Sequence, residues 1–410
     1  MRTFAINNFE DGKFFVLFIF IFFLNLPMFA GFLSFIDRSI LNVFSLLICF
    51  SLYFYFYRVS PVSYKNLIIY LLVIVFLFMQ FSKTAVMYGF IDGLATFLRY
   101  IFYLTIAIFT YQRGLTKRSV NAIIYLSCLF CILSACIGFI QGNYIYLNGA
   151  YRFMGASASS AGLAIQVSVC LLLIYFKFII LEEKIYLSLS NCLWLITSLF
   201  LFYILLITQS RQPILGIFAV MLVHLLFFRK TLFIFVLTAL FLYLNTFIEL
   251  SGISSTRVVT LFNNLVQVSS ISELEDIRDA SLVSRINYIK VGASHIIENT
   301  LLFGAGLNSF PGIYEAATGK DSVAPHNDLL LIFVEFGYFG LLMLFYGLFK
   351  YLRIVVTKKL YFPVAIIVFW ALGLSLNNFL YYHTVAFMMF FLASISLKSN
   401  ETLGTKKSNL

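Results

Sequence analysis

Apolar residues run along this chain in blocks of about 20, each closed by a short polar or charged break. A helix needs about 20 residues to cross roughly 30 Å of hydrocarbon, so each block predicts a membrane-crossing helix. Twelve spans are expected, near residues 14–36, 40–57, 66–82, 93–112, 119–141, 158–178, 185–207, 212–228, 231–250, 328–348, 361–379 and 384–397. Arg99 interrupts the fourth and the last is short. One connection breaks the rhythm: from Ser251 to Asn327 the chain is polar for more than 70 residues. Loops of that length usually carry function. Within it, Ala280–Thr300 sets Leu282, Ile286, Ile289, Ile296 and Ile297 close to one helical face, with Arg285, Lys290 and Glu298 elsewhere. That pattern predicts an amphipathic helix lying at the membrane surface. The fold class is therefore an all-α polytopic membrane protein. It divides into spans one to nine (1–250), the long loop (251–327), and spans ten to twelve with a tail (328–410).

Composition sharpens this picture by exclusion. The chain is 62% hydrophobic and 11% charged, far from the balance of soluble domains, which excludes a water-soluble enzyme and a disordered or fibrous chain. The 19% aromatic content suits a lipid-facing surface and carries no functional weight. With the N-terminus in the cytoplasm, 18 of the 28 lysines and arginines fall in short cytoplasmic segments, as the retention of positive charge requires. The same sorting explains much of the +11 net charge without nucleic acid, since these residues flank an anionic leaflet. The first run is long for a signal peptide and lacks a small-residue cleavage site, so it is expected to stay as an anchor. Cys49, Cys128, Cys131, Cys136, Cys170 and Cys192 all lie in apolar runs, without metal-ligand spacing, and read as buried thiols. There is no Walker loop, dinucleotide fingerprint or HExxH, so no ATP-driven transport is expected.

Ionisable groups near membrane depth cost roughly 2.5–3.5 kcal/mol each on insertion scales, which makes them candidates for chemistry. Arg211 sits in the polar break Thr208-Gln209-Ser210-Arg211-Gln212-Pro213 at the outer face. Pro213 suits the first turn of the next helix, whose N-terminal N–H groups favour an anion. A guanidinium beside that terminus makes a phosphate site, the alternative being a snorkelling interfacial arginine. Arg285, after Ser281 and Ser284, is the second candidate, against a solvated face residue. Arg257, Arg278 and Lys290 add positive charge to the loop, offset by Glu273, Glu275, Asp276 and Asp279; Arg152 follows Tyr151 on the outer side. Arg99, a few residues inside its run, reads as a snorkelling residue. Of four histidines, His326 stands out, between Pro325 and Asn327-Asp328 where the outer loop enters the tenth span. Its imidazole suits a general base, while a capping role is the bland alternative; Asn327 or Asp328 can supply the N-cap. His224 reads as a helix–helix contact, and His295 and His383 are weaker candidates. The run Gly304-Ala305-Gly306 gives tight turns that let backbone approach a ligand. Glu335 follows Asp328 by about two helical turns and can orient a partner or pair with an arginine.

These residues have a familiar order. Thr208-Gln209-Ser210-Arg211, then Ser284-Arg285 leading to Glu298-Asn299-Thr300-Leu301-Leu302-Phe303-Gly304-Ala305-Gly306, then His326-Asn327 leading to Glu335-Phe336-Gly337-Tyr338-Phe339-Gly340, together resemble the bacterial O-antigen ligase/polymerase superfamily. Arg152-Phe153-Met154-Gly155 resembles a looser family element. The resemblance implies a glycosyltransferase of the GT-C type in the inner membrane, working on its periplasmic side without a metal or cofactor. Its donor would be a glycan on undecaprenyl pyrophosphate. Arg211 and Arg285 would hold the pyrophosphate and His326 would activate the acceptor hydroxyl, with Arg152, Asn327, Glu335 and Arg257 in support. The expected partners are that donor, an acceptor glycolipid, membrane lipids and a chain-length co-polymerase, with no nucleic acid. The favoured activity is O-antigen polymerase, passing the glycan to another lipid-linked repeat unit. The alternatives are an O-antigen ligase acting on lipid A–core, a protein O-oligosaccharyltransferase, or, from another class, a lipid-linked oligosaccharide flippase. A transporter would place its ionisable groups at midplane with repeat symmetry, whereas here they cluster at the outer face.

Overall fold

The computed structural model describes residues 64–178, 189–228 and 280–404, apart from short gaps at 88, 114–116, 148–149, 158, 300, 321–324, 359, 375–379 and 381–382, together with parts of 19–51. The ninth span and the first part of the long loop, with Arg257 and Arg278, lie outside these residues, and spans one and two are described only in part.

Helices occupy the positions of spans three to eight and ten to twelve. They are α1 (Tyr64–Met87), α2 (Phe90–Arg113), α3 (Lys117–Gln141), α4 (Ser160–Phe176), α5 (Leu189–Ile207) and α6 (Arg211–Phe228). After α7 (Ala280–Glu298) and α8 (Phe310–Thr318) come α9 (Asp328–Thr357), α10 (Tyr361–Phe369) and α11 (His383–Gly404). Among the described residues, three helices are long and apolar enough to cross a membrane, through Tyr70–Met87, Val120–Gln141 and Asp328–Thr357, and shorter apolar helices accompany them. The chain is a multi-pass, helical membrane protein.

The bundle is sewn together by aromatic rings and by a few satisfied polar groups. Phe20, Phe102 and Phe387 meet with centroids 5.3–6.2 Å apart, joining the first span, α2 and α11. Buried Gln166 donates to Asn25 at 2.8 Å, and Tyr103 donates to the Leu380 carbonyl at 2.9 Å. Polar groups in hydrocarbon persist only when paired in this way. The cysteines are free thiols; four are buried as expected, but Cys136 is exposed and Cys192 only partly buried. The Cys170 thiol of α4 donates to the Ser127 carbonyl of α3 at 3.6 Å. Between α3 and α4 the chain makes an antiparallel hairpin, β1 (Tyr144–Leu147) and β2 (Ala150–Phe153), with Arg152 opposite Ile145. Phe153 turns inward and stacks on Phe139 of α3 at 4.4 Å.

α7 forms over the range its periodicity predicts, but its apolar face divides. Ile296 is buried against Phe310, Ile313, Leu330 and Val334, with Tyr288 and Val291 alongside. Ile289 and Ile297 stay exposed, at 46% and 55%. The side of α7 that packs onto α9 is thus Tyr288, Gly292 and Ile296; a side chain at Gly292 would meet Val334 and Leu330. The helix is held by protein on that side.

α9 is broken. Gly337 lies at φ 64°, ψ −155° inside an otherwise helical run. A break frees backbone groups, and at membrane depth these survive only where other protein satisfies them. The segment 301–309 does so. Ala305 and Gly306 N–H groups donate to the Val334 and Glu335 carbonyls at 2.8 and 3.3 Å, and Phe339 N–H donates to the Leu302 carbonyl at 3.1 Å. From the other side, Lys83 of α1 donates to the Gly304 carbonyl at 3.1 Å and Thr84 donates to the Leu307 carbonyl. Glu335 lies seven residues past Asp328, or about 10 Å along the helix axis, so the 301–309 loop dips alongside α9 into the bundle.

Candidate functional site

His326 is placed by three local features. Pro325 before it is buried, Asn327 after it caps α9, and its own φ is +50°, a left-handed conformation uncommon outside glycine. The Asn327 side chain accepts from the Leu329 and Leu330 N–H groups at 2.9 and 3.1 Å, so the cap belongs to Asn327 and the imidazole is left for other work. Its ring lies 5.9 Å from that of Tyr288, at 37°. Tyr288 also meets Phe310 and Tyr314 of α8, at 5.7 and 4.9 Å. Arg285, one turn earlier on α7, acts electrostatically on His326.

The ring keeps an exposed edge, yet surrounding protein and then the Arg285 charge hold its pKa below the ordinary histidine value. Both causes disfavour the imidazolium. At neutral pH the site therefore holds a neutral imidazole, able to take a proton, beside a permanent cation able to neutralise an anion. Asp328, fully buried, begins α9 directly below.

A second cluster underlies the first. Glu335 is fully buried; its Oε2 accepts from Tyr100 Oη at 2.7 Å and its Oε1 accepts from the Asn308 N–H at 2.8 Å. Arg99 of α2, only 6% exposed, acts on this carboxylate and on Tyr103, on which Asp328 also acts. The snorkelling expected of Arg99 is not found, because α2 packs against α1 and α11 and its guanidinium meets carboxylate charge before lipid surface. The glycine run likewise serves another end than ligand approach. A Cβ on Gly304 would lie 2.5 Å from the Glu335 carbonyl, so the close approach is to the break in α9.

The remaining candidates are more dispersed. Arg211 is the first residue of α6, after a turn in which Thr208 Oγ1 donates to the Leu205 carbonyl at 2.7 Å and Gln209 adopts φ +53°. Pro213 stands among the first helical positions, where its missing N–H removes no bond. α6 packs chiefly on α4 and α10. Arg152 is half-buried on β2, and Arg257 lies outside the described residues. His224 meets the Tyr175 ring at 5.5 Å, a helix–helix contact as expected. Among the described residues no group of three or more His, Cys, Asp or Glu side chains is placed to hold a metal ion. Sequence reasoning passed over Lys83, Thr84, Tyr100 and Asn308. The spacing of Gln80, Lys83 and Thr84, one face at the end of an apolar run, was the available signal.

Residues 196–345 match the family model described as O-antigen ligase. Over that stretch the chain is similar to the O-antigen ligase/polymerase superfamily. The matched stretch holds Arg211, Arg285, His326, Asn327, Glu335 and the glycine-rich loop. Lys83, Arg99, Tyr100 and Arg152 lie outside it, so helices beyond the matched domain complete the surroundings of Glu335. No curated protein and no solved structure matches the chain.

Proposed function

We propose that this protein is a glycosyltransferase that moves a glycan from undecaprenyl pyrophosphate to an acceptor hydroxyl on the periplasmic face of the inner membrane. The observation that carries this reading is the pairing of a neutral His326 with Arg285 at the outer end of α9, within a domain of this superfamily. His326 takes the proton of the acceptor hydroxyl. The acceptor oxygen bonds to the anomeric carbon as the bond from that carbon to the pyrophosphate oxygen breaks, and the configuration inverts. Undecaprenyl pyrophosphate leaves with its added negative charge facing Arg285 and Arg211, which supply the stabilisation that metal ions supply in other transferases. The activated bond is already in the donor, so no nucleotide is needed. Asn327 fixes the start of α9, and Arg152 of β2 adds a supporting cation.

The favoured acceptor is another lipid-linked repeat unit, which makes the protein a polymerase with a chain-length co-polymerase as partner. The ligase reading, with lipid A–core as acceptor, is favoured by the description of the matching family. Glycolipid gels from a deletion strain separate them. Core capped with a single repeat marks a polymerase; bare core with polymer accumulating on the lipid carrier marks a ligase. Complementation with His326→Ala tests the chemistry: transfer falls by about 100-fold or more while membrane abundance is unchanged. A wild-type ladder from that variant removes the base assignment.

A further inference from the structure

Glu335 is remote from any exposed surface, yet it touches three separate parts of the molecule. Tyr100 reaches it from α2, Asn308 from the inserted loop, and it belongs itself to the last helical turn before the Gly337 break. A buried carboxylate is expensive to keep, and well-packed apolar side chains of similar volume would hold helices together at least as well. What a carboxylate adds is direction, since its two oxygens accept from fixed donors on different elements. From Asn308 the chain turns at φ +54° and passes directly into α8 through buried Ser309 and Phe310. Phe310 and Tyr314 of α8 clasp Tyr288, and the Tyr288 ring faces His326. Arg285 is one helical turn from Tyr288 on the same rigid helix. A continuous path of hydrogen bonds and ring contacts thus runs from Glu335 through Asn308, Phe310 and Tyr288 to the pair at the outer face.

We propose that Glu335, held by Tyr100 and Arg99, is a positioning residue that fixes where α7 presents Arg285 and Tyr288 to His326. It touches no reacting atom. It acts by pinning the 301–309 loop, and with it α8, at one height in the bundle. The consequence for transfer rests on the function proposed above; the geometric claim does not. Displacements of about an ångström in a reacting constellation cost up to about 100-fold in rate, so a loose pin lowers turnover more than it lowers donor binding.

His326 reports the geometry without any glycan. Full-length protein with labelled histidine, in lipid nanodiscs, is titrated by NMR, and the His326 signal is assigned by its loss in His326→Asn. The groups acting on that ring from its neighbours are Arg285 and Tyr288 of α7. Arg285→Gln sets the reference, an upward move of the midpoint. Glu335→Ala is expected to move it upward as well, because α7 withdraws its cation. Direct loss of the Glu335 charge would act in the opposite sense, so the sign separates repositioning from through-space electrostatics. Glu335→Gln keeps an acceptor for the Asn308 N–H and moves the midpoint less than Glu335→Ala. If Glu335→Ala does not fold, Tyr100→Phe, which removes one hydrogen bond and keeps the ring, replaces it with the same expected direction. A midpoint at the wild-type value in the folded Glu335→Ala protein, or in Tyr100→Phe where the first fails, overturns the positioning role. In cells, transfer by Glu335→Ala falls about tenfold or more at normal abundance. An unchanged His326 midpoint sinks the positioning claim alone, whereas an active His326→Ala sinks the proposed chemistry and leaves this titration standing.

Discussion

Substituting Gly337 with alanine tests whether the docked loop and the broken helix form one unit. The backbone there, at φ 64° and ψ −155°, occupies a region that is essentially glycine's alone, at about 1–3 kcal/mol for another residue. The added Cβ would also lie 2.4 Å from the Gly304 nitrogen and the Leu301 carbonyl oxygen, and 2.5 Å from that of Leu302. All three are backbone atoms, so no side chain can swing aside and the loop itself must move. Moving it strains the bonds from Ala305 to Val334, from Gly306 to Glu335 and from Phe339 to Leu302. Each buried group left unsatisfied costs about 1–3 kcal/mol. The total reaches about 4–12 kcal/mol if all three bonds are lost, a large part of the 5–15 kcal/mol typical of a folded domain. Thermal unfolding followed by a thiol-reactive dye in a Cys136→Ser, Cys192→Ser background measures this, since Cys49, Cys128, Cys131 and Cys170 are buried and become reactive as the bundle opens. Gly347→Ala on the same helix is the control. Its Cβ would meet nothing within 4 Å, so it should be neutral or stabilise by up to about 1 kcal/mol. Gly337→Ala melting with wild type would refute the coupling of loop to break.

Three further outcomes follow from the site. Arg285→Gln should move the acid limb of residual transfer to higher pH: the Arg285 cation lowers the His326 pKa, so its removal lets the base protonate, and activity fail, at less acidic pH. A limb that stays in place would mean the two residues do not act together. Arg211→Lys should lose about tenfold or more in transfer despite the retained charge, because an ammonium does not replace a two-pronged guanidinium; full activity with lysine would leave Arg211 an interfacial residue. Lys83→Met removes the bond to the Gly304 carbonyl and should cost about 1.5–3 kcal/mol in the same thiol-dye melt, and an unchanged melt would show that α1 does not hold the loop.

Much of the candidate site was legible because the chain writes it in local signals. His326-Asn327-Asp328 reads as the entry to a helix, and Asn327 caps it as its residue type requires. The Ala280–Thr300 periodicity located α7. Arg99 was misread because sequence records only that a charge lies in an apolar run. Whether that charge snorkels or is enclosed depends on which helices surround it, and α9 and α11 are brought to α2 from distant parts of the chain. Glycines 304 and 337 were visible as motif glycines, but not as each other's partners.

Residue order thus determined the membrane helices by itself, since hydrocarbon accepts long apolar runs whose backbone is satisfied internally. It set as well the expectation that the arginines and His326 share one membrane face, which rests on the sorting of positive charge. Only the tertiary structure decided that a loop more than 200 residues beyond Lys83 fills the gap in α9, or that Glu335 is shared between Tyr100 and Asn308. The physical reason is that a helix break leaves donors and acceptors that any nearby backbone can satisfy. Their partners are therefore chosen by packing in three dimensions, where neighbours in space need not be neighbours in sequence.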